Sequence, residues 1–226
     1  MRFKDVFSII GPSMIGPSSS HTAGAVRLGL AARQLFGTSP LYAEATFFGS
    51  FADTYRGHGT DIAVAAGLLG MATDDERLVD ALRLVEEAKL DFVIRTERGP
   101  APHPNTLSLL LRAKRKRLTL TGCSIGGGNI EIVEVNGFDL KFSGHYPTII
   151  VYHGDRPGML ADITGLLGEA GINIGHMDVD RKGRQGEAAT VIESDAVIPQ
   201  RLRRRIRALP DVRGVSYMDL IGGGSV

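Results

Sequence analysis

Five consecutive residues near the start of the chain, Ser18-Ser19-Ser20-His21-Thr22, set four hydroxyls beside one imidazole. Pro17 precedes them and Gly24 follows closely. Good helix formers then run over residues 25–36 and stop at Gly37. The hydroxyls therefore fall at the N-cap and first turn of a helix, where free backbone N–H groups point outward. Such an end attracts a carboxylate or phosphate, and hydroxyls add donors that suit the same anion. A Ser-rich loop that only caps a helix is the plainer reading. The added histidine favours a small-anion or substrate site.

A second cluster has the same make-up. In Gly57-His58-Gly59-Thr60-Asp61 the histidine has the smallest possible neighbours, which lets a ligand come close. Thr60 or Asp61 is expected to cap a helix beginning at residue 62. Two imidazoles and two helix N-termini facing one ligand is the arrangement these clusters suggest. His103-Pro104-Asn105 adds a histidine and an amide in a loop held open by three prolines. Ser124 opens the glycine loop Ser124-Ile-Gly-Gly-Gly-Asn129, whose backbone N–H groups suit an anion. It lacks the lysine and spacing of a P-loop and does not match the dinucleotide fingerprint.

Composition narrows the chemistry. The chain has 226 residues and a formal net charge of +1, so nothing in its balance implies nucleic acid or a membrane surface. The basic run from Arg112 to Arg117 has no interleaved aromatics and reads as a solvated hairpin end. No apolar run is long enough to span a bilayer, and residues 1–10 lack a signal peptide's apolar centre. A cytoplasmic protein is expected. The one cysteine, Cys123, excludes an internal disulfide and an all-cysteine metal site, so no metal is expected on this chain. Cys123 itself reads as a small buried apolar group.

The elements that must position these residues are partly legible. Phe3, Val6, Ile9 and Ile10 are apolar anchors ahead of the first cluster. Strands are expected over 41–48, 91–96, 106–111 and 118–120. Thr73 and Glu76 fit a capping box, followed by Leu78, Leu82 and Val85 at helical spacing. Asn136-Gly137 between strands 130–135 and 138–142 is a strong hairpin signal. A boundary falls at residues 143–146. Beyond it the pattern reads strand (147–152), helix, strand (172–180), strand (188–193), helix, strand (212–220), a split unit of the ferredoxin-like kind. Pro157 sits near the first helical position and Gly171 ends that helix. Ile198, Leu202, Ile206 and Leu209 line one face of the second helix. Arg201, Arg203, Arg204, Arg205 and Arg207 line the other, which reads as solvated or inter-subunit. The fold class expected is α+β: a mixed α/β unit over residues 1–143, the split unit over 146–221, and a frayed tail at 222–226.

The split unit, with His153-Gly154-Asp155-Arg156-Pro157-Gly158-Met159-Leu160 and Gly171-Ile172-Asn173-Ile174, resembles an ACT domain, the amino-acid-sensing module of metabolic enzymes. The resemblance implies a ligand site at His153, Asp155 and Asn173 between two copies, hence a homodimer. Asp155 stands where serine-sensing relatives more usually have Asn. The first unit, through residues 18–22, 57–61, 103–105 and Ser124, resembles the β component of bacterial iron–sulfur-dependent L-serine dehydratase. That resemblance implies conversion of L-serine to pyruvate and ammonia, with a 4Fe-4S cluster carried by a separate α subunit. His21 and His58 would position substrate or move protons. Ser18, Ser19, Ser20, Thr22, Gly59, Thr60, Asp61, His103, Asn105 and Ser124 would bind substrate, or an effector serine instead. A stand-alone amino-acid-sensing regulator is the rival reading, and it gives no reason for the two histidine clusters.

Overall fold

The computed structural model describes residues 13–184 and 186–221. The anchors expected at Phe3, Val6, Ile9 and Ile10, and the tail expected at 222–226, lie outside the described residues. A π-helical turn, Ser19–Ala23, runs directly into helix α1, Gly24–Phe36. Gly37 closes α1 with φ +68°, a left-handed conformation that glycine adopts without steric cost.

Six strands form the first sheet: β1 (Tyr42–Phe48), β2 (Asp91–Glu97), β3 (Thr106–Ala113), β4 (Lys116–Gly126), β5 (Asn129–Val135) and β6 (Phe138–Ser143). Their spatial order is β2-β1-β3-β4-β5-β6. The β1–β2 pair is parallel and so requires a crossover. The crossover contains helices α2 (Gly49–His58), α3 (Thr60–Leu68) and α4 (Ala81–Glu87). Period-two alternation buries Ala43, Ala45 and Phe47 of β1, and Leu107, Leu109 and Leu111 of β3, in the same core as α1 and α3. Asn136 and Gly137, at φ +53° and +75°, make the β5–β6 hairpin turn.

Helix α2 departs from the sequence reading, which had a loop there. The capping box also differs. Asp75, not Thr73, caps a 3-10 turn (Glu76–Asp80) by accepting the Arg77 N–H, and the Thr73 hydroxyl donates to the Ser13 carbonyl instead. The Asp75 carboxylate takes a donor two residues on, and the Thr73 hydroxyl is already spent on Ser13, so the box has no role. The Ser124 glycine loop is a tight hairpin: β4 continues through Gly126, and Gly127-Gly128 turn the chain into β5.

The second sheet has the order β10-β7-β9-β8. It is built from β7 (Thr148–Gly154), α5 (Met159–Glu169), β8 (Ile174–Arg181), β9 (Glu187–Ser194), α6 (Gln200–Arg207) and β10 (Val212–Met218), the expected split unit. Gly158, at φ +82°, is the N-cap of α5, so Pro157 lies one residue before the cap rather than inside the first turn. Ile149, Val151 and Ile192 pack with Ile163, Leu167, Leu202 and Ile206 of the two helices.

A lone split unit leaves the opposite face of its sheet uncovered, but here that face is covered. Ile150, Ala189, Val191 and Met218 belong to the core of the first sheet, and β6 packs on β8 and β9. Carboxylates from the second sheet serve the edge of β6. Asp180, Asp178 and Glu193 accept the backbone N–H groups of Asp139, Lys141 and Ser143 at 2.9, 3.0 and 2.9 Å. Asn136 donates to the Tyr152 hydroxyl at 3.0 Å, and burial pushes that phenol up to about 12. Covering the face removes one reason to pair with a second copy. The outer edges, β8 and β10, remain.

Candidate functional site

Ser18 is extended (φ −143°) and caps the π turn, its hydroxyl accepting the His21 N–H at 3.2 Å. The turn aims His21 toward the start of α2. Its Nδ1 lies 3.1 Å from the Ser20 hydroxyl and 3.5 Å from that of Ser18. Its Nε2 lies 3.2 Å from the Ser50 hydroxyl. Hydroxyls donate or accept as required, so they can hold either neutral tautomer. The ring of His58 sits 4.7 Å from that of His21, centroid to centroid, and Phe51 closes the far side edge-on at 5.2 Å. The two imidazoles expected to meet therefore do meet.

They do not meet as two helix N-termini. His58 is the last residue of α2 and so stands at a helix C-terminus. Gly59, at φ +64°, is the left-handed hinge between α2 and α3 and serves as the N-cap of α3 without a side-chain bond. Thr60 and Asp61 thus do not cap. Thr60 is buried within the first turn, and its hydroxyl has no hydrogen-bond partner. Asp61 accepts the N–H of its neighbour Ile62 at 2.9 Å. The hydroxyl of Thr22 and Nδ1 of His58 are also buried and unpartnered. Three unengaged polar atoms on these two motifs are costly in a folded chain unless something else meets them.

Ser124 joins the cluster from β4. Its hydroxyl donates to the Ser20 carbonyl at 2.8 Å. A Cβ on Gly24 would fall 2.0 Å from the Ser124 hydroxyl oxygen, so only glycine admits this contact. Asn105 supports Ser124 from β3's leading loop, accepting its N–H at 3.0 Å through the Asn105 carbonyl. His103 accepts the Asn105 N–H at 3.1 Å through Nδ1, a local turn. Ser19 begins the π turn. Ser50 was missed from the sequence because α2 was missed. The i, i+4 pair Phe51 and Tyr55 was the available signal.

Burial, and then the charge of His58, hold the His21 imidazole below its ordinary 6.5. Between the lowered folded value and 6.5, the unfolded chain binds the proton more readily than the folded one. The stabilisation is complete above 6.5 and is lost as pH falls through the folded value. In a carboxylate-free buffer, urea unfolding of His21→Gln should therefore show a smaller loss of stability between pH 7.5 and 5 than the native chain. Parallel profiles would remove His21 as the titrating group.

In the second unit His153 is buried, with Nδ1 2.9 Å from the Gly154 carbonyl and Nε2 2.8 Å from the Thr190 hydroxyl. Asp155 pairs with Arg181 at 3.3 Å, and Asn173 donates to Asp195 at 2.7 Å. β7 and β8 run in the same direction on either side of β9. His153 and Asp155 at the end of one strand therefore lie at the opposite end of the sheet from Asn173, ahead of the other. One chain does not bring the three together.

A two-layer unit with an imidazole pair among hydroxyls, followed by a ferredoxin-like unit sharing its core, defines an ACT-containing protein with a polar site in its first unit. Residues 3–134 match the family model for the serine dehydratase beta chain, and residues 147–211 match that for the ACT domain. The chain belongs to the serine dehydratase beta chain family. It is 46% identical to the probable L-serine dehydratase beta chain of Bacillus subtilis, over 94% of this chain and 96% of that one. It is 31% identical to the L-serine dehydratase beta chain of Peptoniphilus asaccharolyticus, over 95% and 97%. A D-3-phosphoglycerate dehydrogenase of Methanocaldococcus jannaschii is 27% identical over 57% of this chain and 24% of its own length. No helix among the described residues is long and apolar enough to cross a membrane.

Proposed function

We propose that this chain is the β subunit of a two-chain L-serine dehydratase, acting with an α subunit to convert L-serine to pyruvate and ammonia in the cytoplasm. The observation that carries the reading is the meeting of His21 and His58 among hydroxyls from two separate stretches, residues 18–20 and Ser50. In this reading the substrate carboxylate takes donors from residues 18–22 and Ser50, and the imidazole pair takes the α-proton. Loss of that proton and of the hydroxyl as water leaves an enamine, which gains a proton at carbon and hydrolyses to pyruvate and ammonia. Neutral His21 is in the right state to accept a proton near pH 7.

The residues of this chain do not fit a 4Fe-4S cluster. Cys123 is buried in β4, 3.4 Å from the Thr106 hydroxyl, and burial pushes its thiol up, away from the thiolate a cluster requires. Among the described residues no group of three or more His, Cys, Asp or Glu could hold a metal ion. The cluster, and departure of the substrate hydroxyl with it, is assigned to the α subunit.

The ACT unit is assigned to a homodimer that senses L-serine. Two β8 edges paired antiparallel would set Asn173 of one copy near Asp155 of the other, and Arg181 already offsets the Asp155 charge.

Anaerobic reconstitution with iron and sulfide tests the subunit assignment. The chain alone should take up no cluster and form no pyruvate from L-serine, and both should appear on coexpression with the α subunit. A stoichiometric cluster on this chain alone would overturn the assignment. Failure of the two chains to associate, with no pyruvate formed, would favour the stand-alone regulator.

A further inference from the structure

A cleft of about 390 Å³ opens where the two units meet, well away from His21. Its walls come from the C-terminal end of α1, the β3–β4 hairpin, α6 and β10. Lys116, Arg203, Arg204 and Arg207 line it, and no Asp or Glu among the described residues does. Four cations are thus gathered with no carboxylate among them. Across the described residues, the ion pair on α6 goes to Arg205, with Glu169, outside the cleft. Nearby Asp219 uses its carboxylate on the Ile221 N–H.

Arg203 is half-buried, Lys116, Arg204 and Arg207 are exposed, and two of the four cations rest on aromatic rings. The Arg203 guanidinium lies 4.1 Å from the centre of the Tyr217 ring, and its Nε is buried without a hydrogen-bond partner. The Lys116 ammonium lies 5.2 Å from the centre of the Phe36 ring. Burial, and then the charge of Arg207, push that amine below its ordinary range. The cleft therefore holds the Arg203 guanidinium at a cost that an anion would relieve. Helix C-termini favour nearby cations and account for part of the charge. They do not account for an unpartnered, buried Nε or for a cavity.

We propose that this cleft binds a compact phosphate ester, whose charged oxygens bridge Lys116 of the first unit to the arginines of α6. Guanidinium groups suit phosphate through paired N–H donors, and the volume is at the small end of the range for small-molecule sites. A ligand seated there would fasten the ACT unit to the unit that carries His21. Such a site is independent of the L-serine reaction and of any ligand between ACT copies.

Thermal unfolding of the full chain at constant ionic strength, with pyrophosphate as the probe, tests the proposal. A ligand bound only by the folded chain raises the midpoint with concentration, by roughly 5 °C at a hundredfold excess over Kd. The double variant Arg203→Gln/Arg207→Gln should lose that shift while keeping the native circular dichroism. Arg201→Gln/Arg205→Gln, with the same net charge but changes outside the cleft, should keep it. Should the first variant fail to fold, Lys116→Gln serves in its place, with the same loss expected. No shift in the native chain, or an equal loss in both double variants, would overturn the site.

Discussion

In the reconstituted two-chain enzyme, His58→Ala should lower turnover by about a hundredfold or more, the usual contribution of a positioned acid–base group. Stability of the β chain should change by less than about 1 kcal/mol. The two expectations have one cause. The ring of His58 packs on His21, and its Nδ1 is buried with no hydrogen-bond partner, so removal orphans nothing. On one side Gly57 offers open space within 4 Å, and on the other Gly59 turns the chain away. A side chain so placed contributes little to folding, and its cost needs another reason. Steady-state pyruvate formation beside urea melts of the isolated chain decides it. Unchanged turnover in an intact complex removes His58 from the chemistry, and a large fall in stability makes it a packing residue.

The largest loss of stability should come from Gly67→Ala in α3. A Cβ there would lie 2.2 Å from the Val26 carbonyl oxygen, 2.8 Å from the Leu30 nitrogen and 2.9 Å from the Gly29 Cα. All three are backbone atoms of α1, which cannot swing aside as a side chain would. Gly29 faces the same contact from the other helix, 2.7 Å from the Val64 oxygen. Overpacking ordinarily costs about 1–3 kcal/mol, and with two helical backbones in contact we expect about 3 kcal/mol or more. That is a large part of a typical domain's stability. Gly57→Ala is the matched control: its Cβ meets nothing, and alanine should stabilise α2 by up to about 1 kcal/mol. Urea midpoints of the two variants should move in opposite directions. If Gly67→Ala matches the native chain, the close approach of α1 and α3 is not as described.

Much of this was readable in advance where a local rule decides the matter. Asn136-Gly137 needs two left-handed residues in a row, and the hairpin follows from that alone. Ser18 caps because an extended residue with a short hydroxyl precedes a helix. The strand and helix order of the ACT unit follows from period and punctuation. Helix α2 was hidden because it carries two glycines and only Phe51 is fully buried, so it shows almost no apolar stripe. Losing α2 meant losing Ser50 and mistaking the end at which His58 stands. The distance between His153 and Asn173 depends on strand order, which no local pattern carries. The covered face of the second sheet was invisible for the same reason: Ile150 and Val191 look identical whether they meet a second copy or β6.

Those few apolar residues bear on how the protein can change over time. Small ferredoxin-like units are often pictured as cassettes that genes exchange freely, each bringing a finished surface. This one has no finished underside, since Ile150, Ala189, Val191 and Met218 belong to the neighbouring core and the β6 edge borrows its hydrogen-bond acceptors from β8 and β9. Cut loose, it would present a greasy plane to water, and what stayed behind would keep an unmet row of amide protons. A replacement for either half must therefore be fitted to the other.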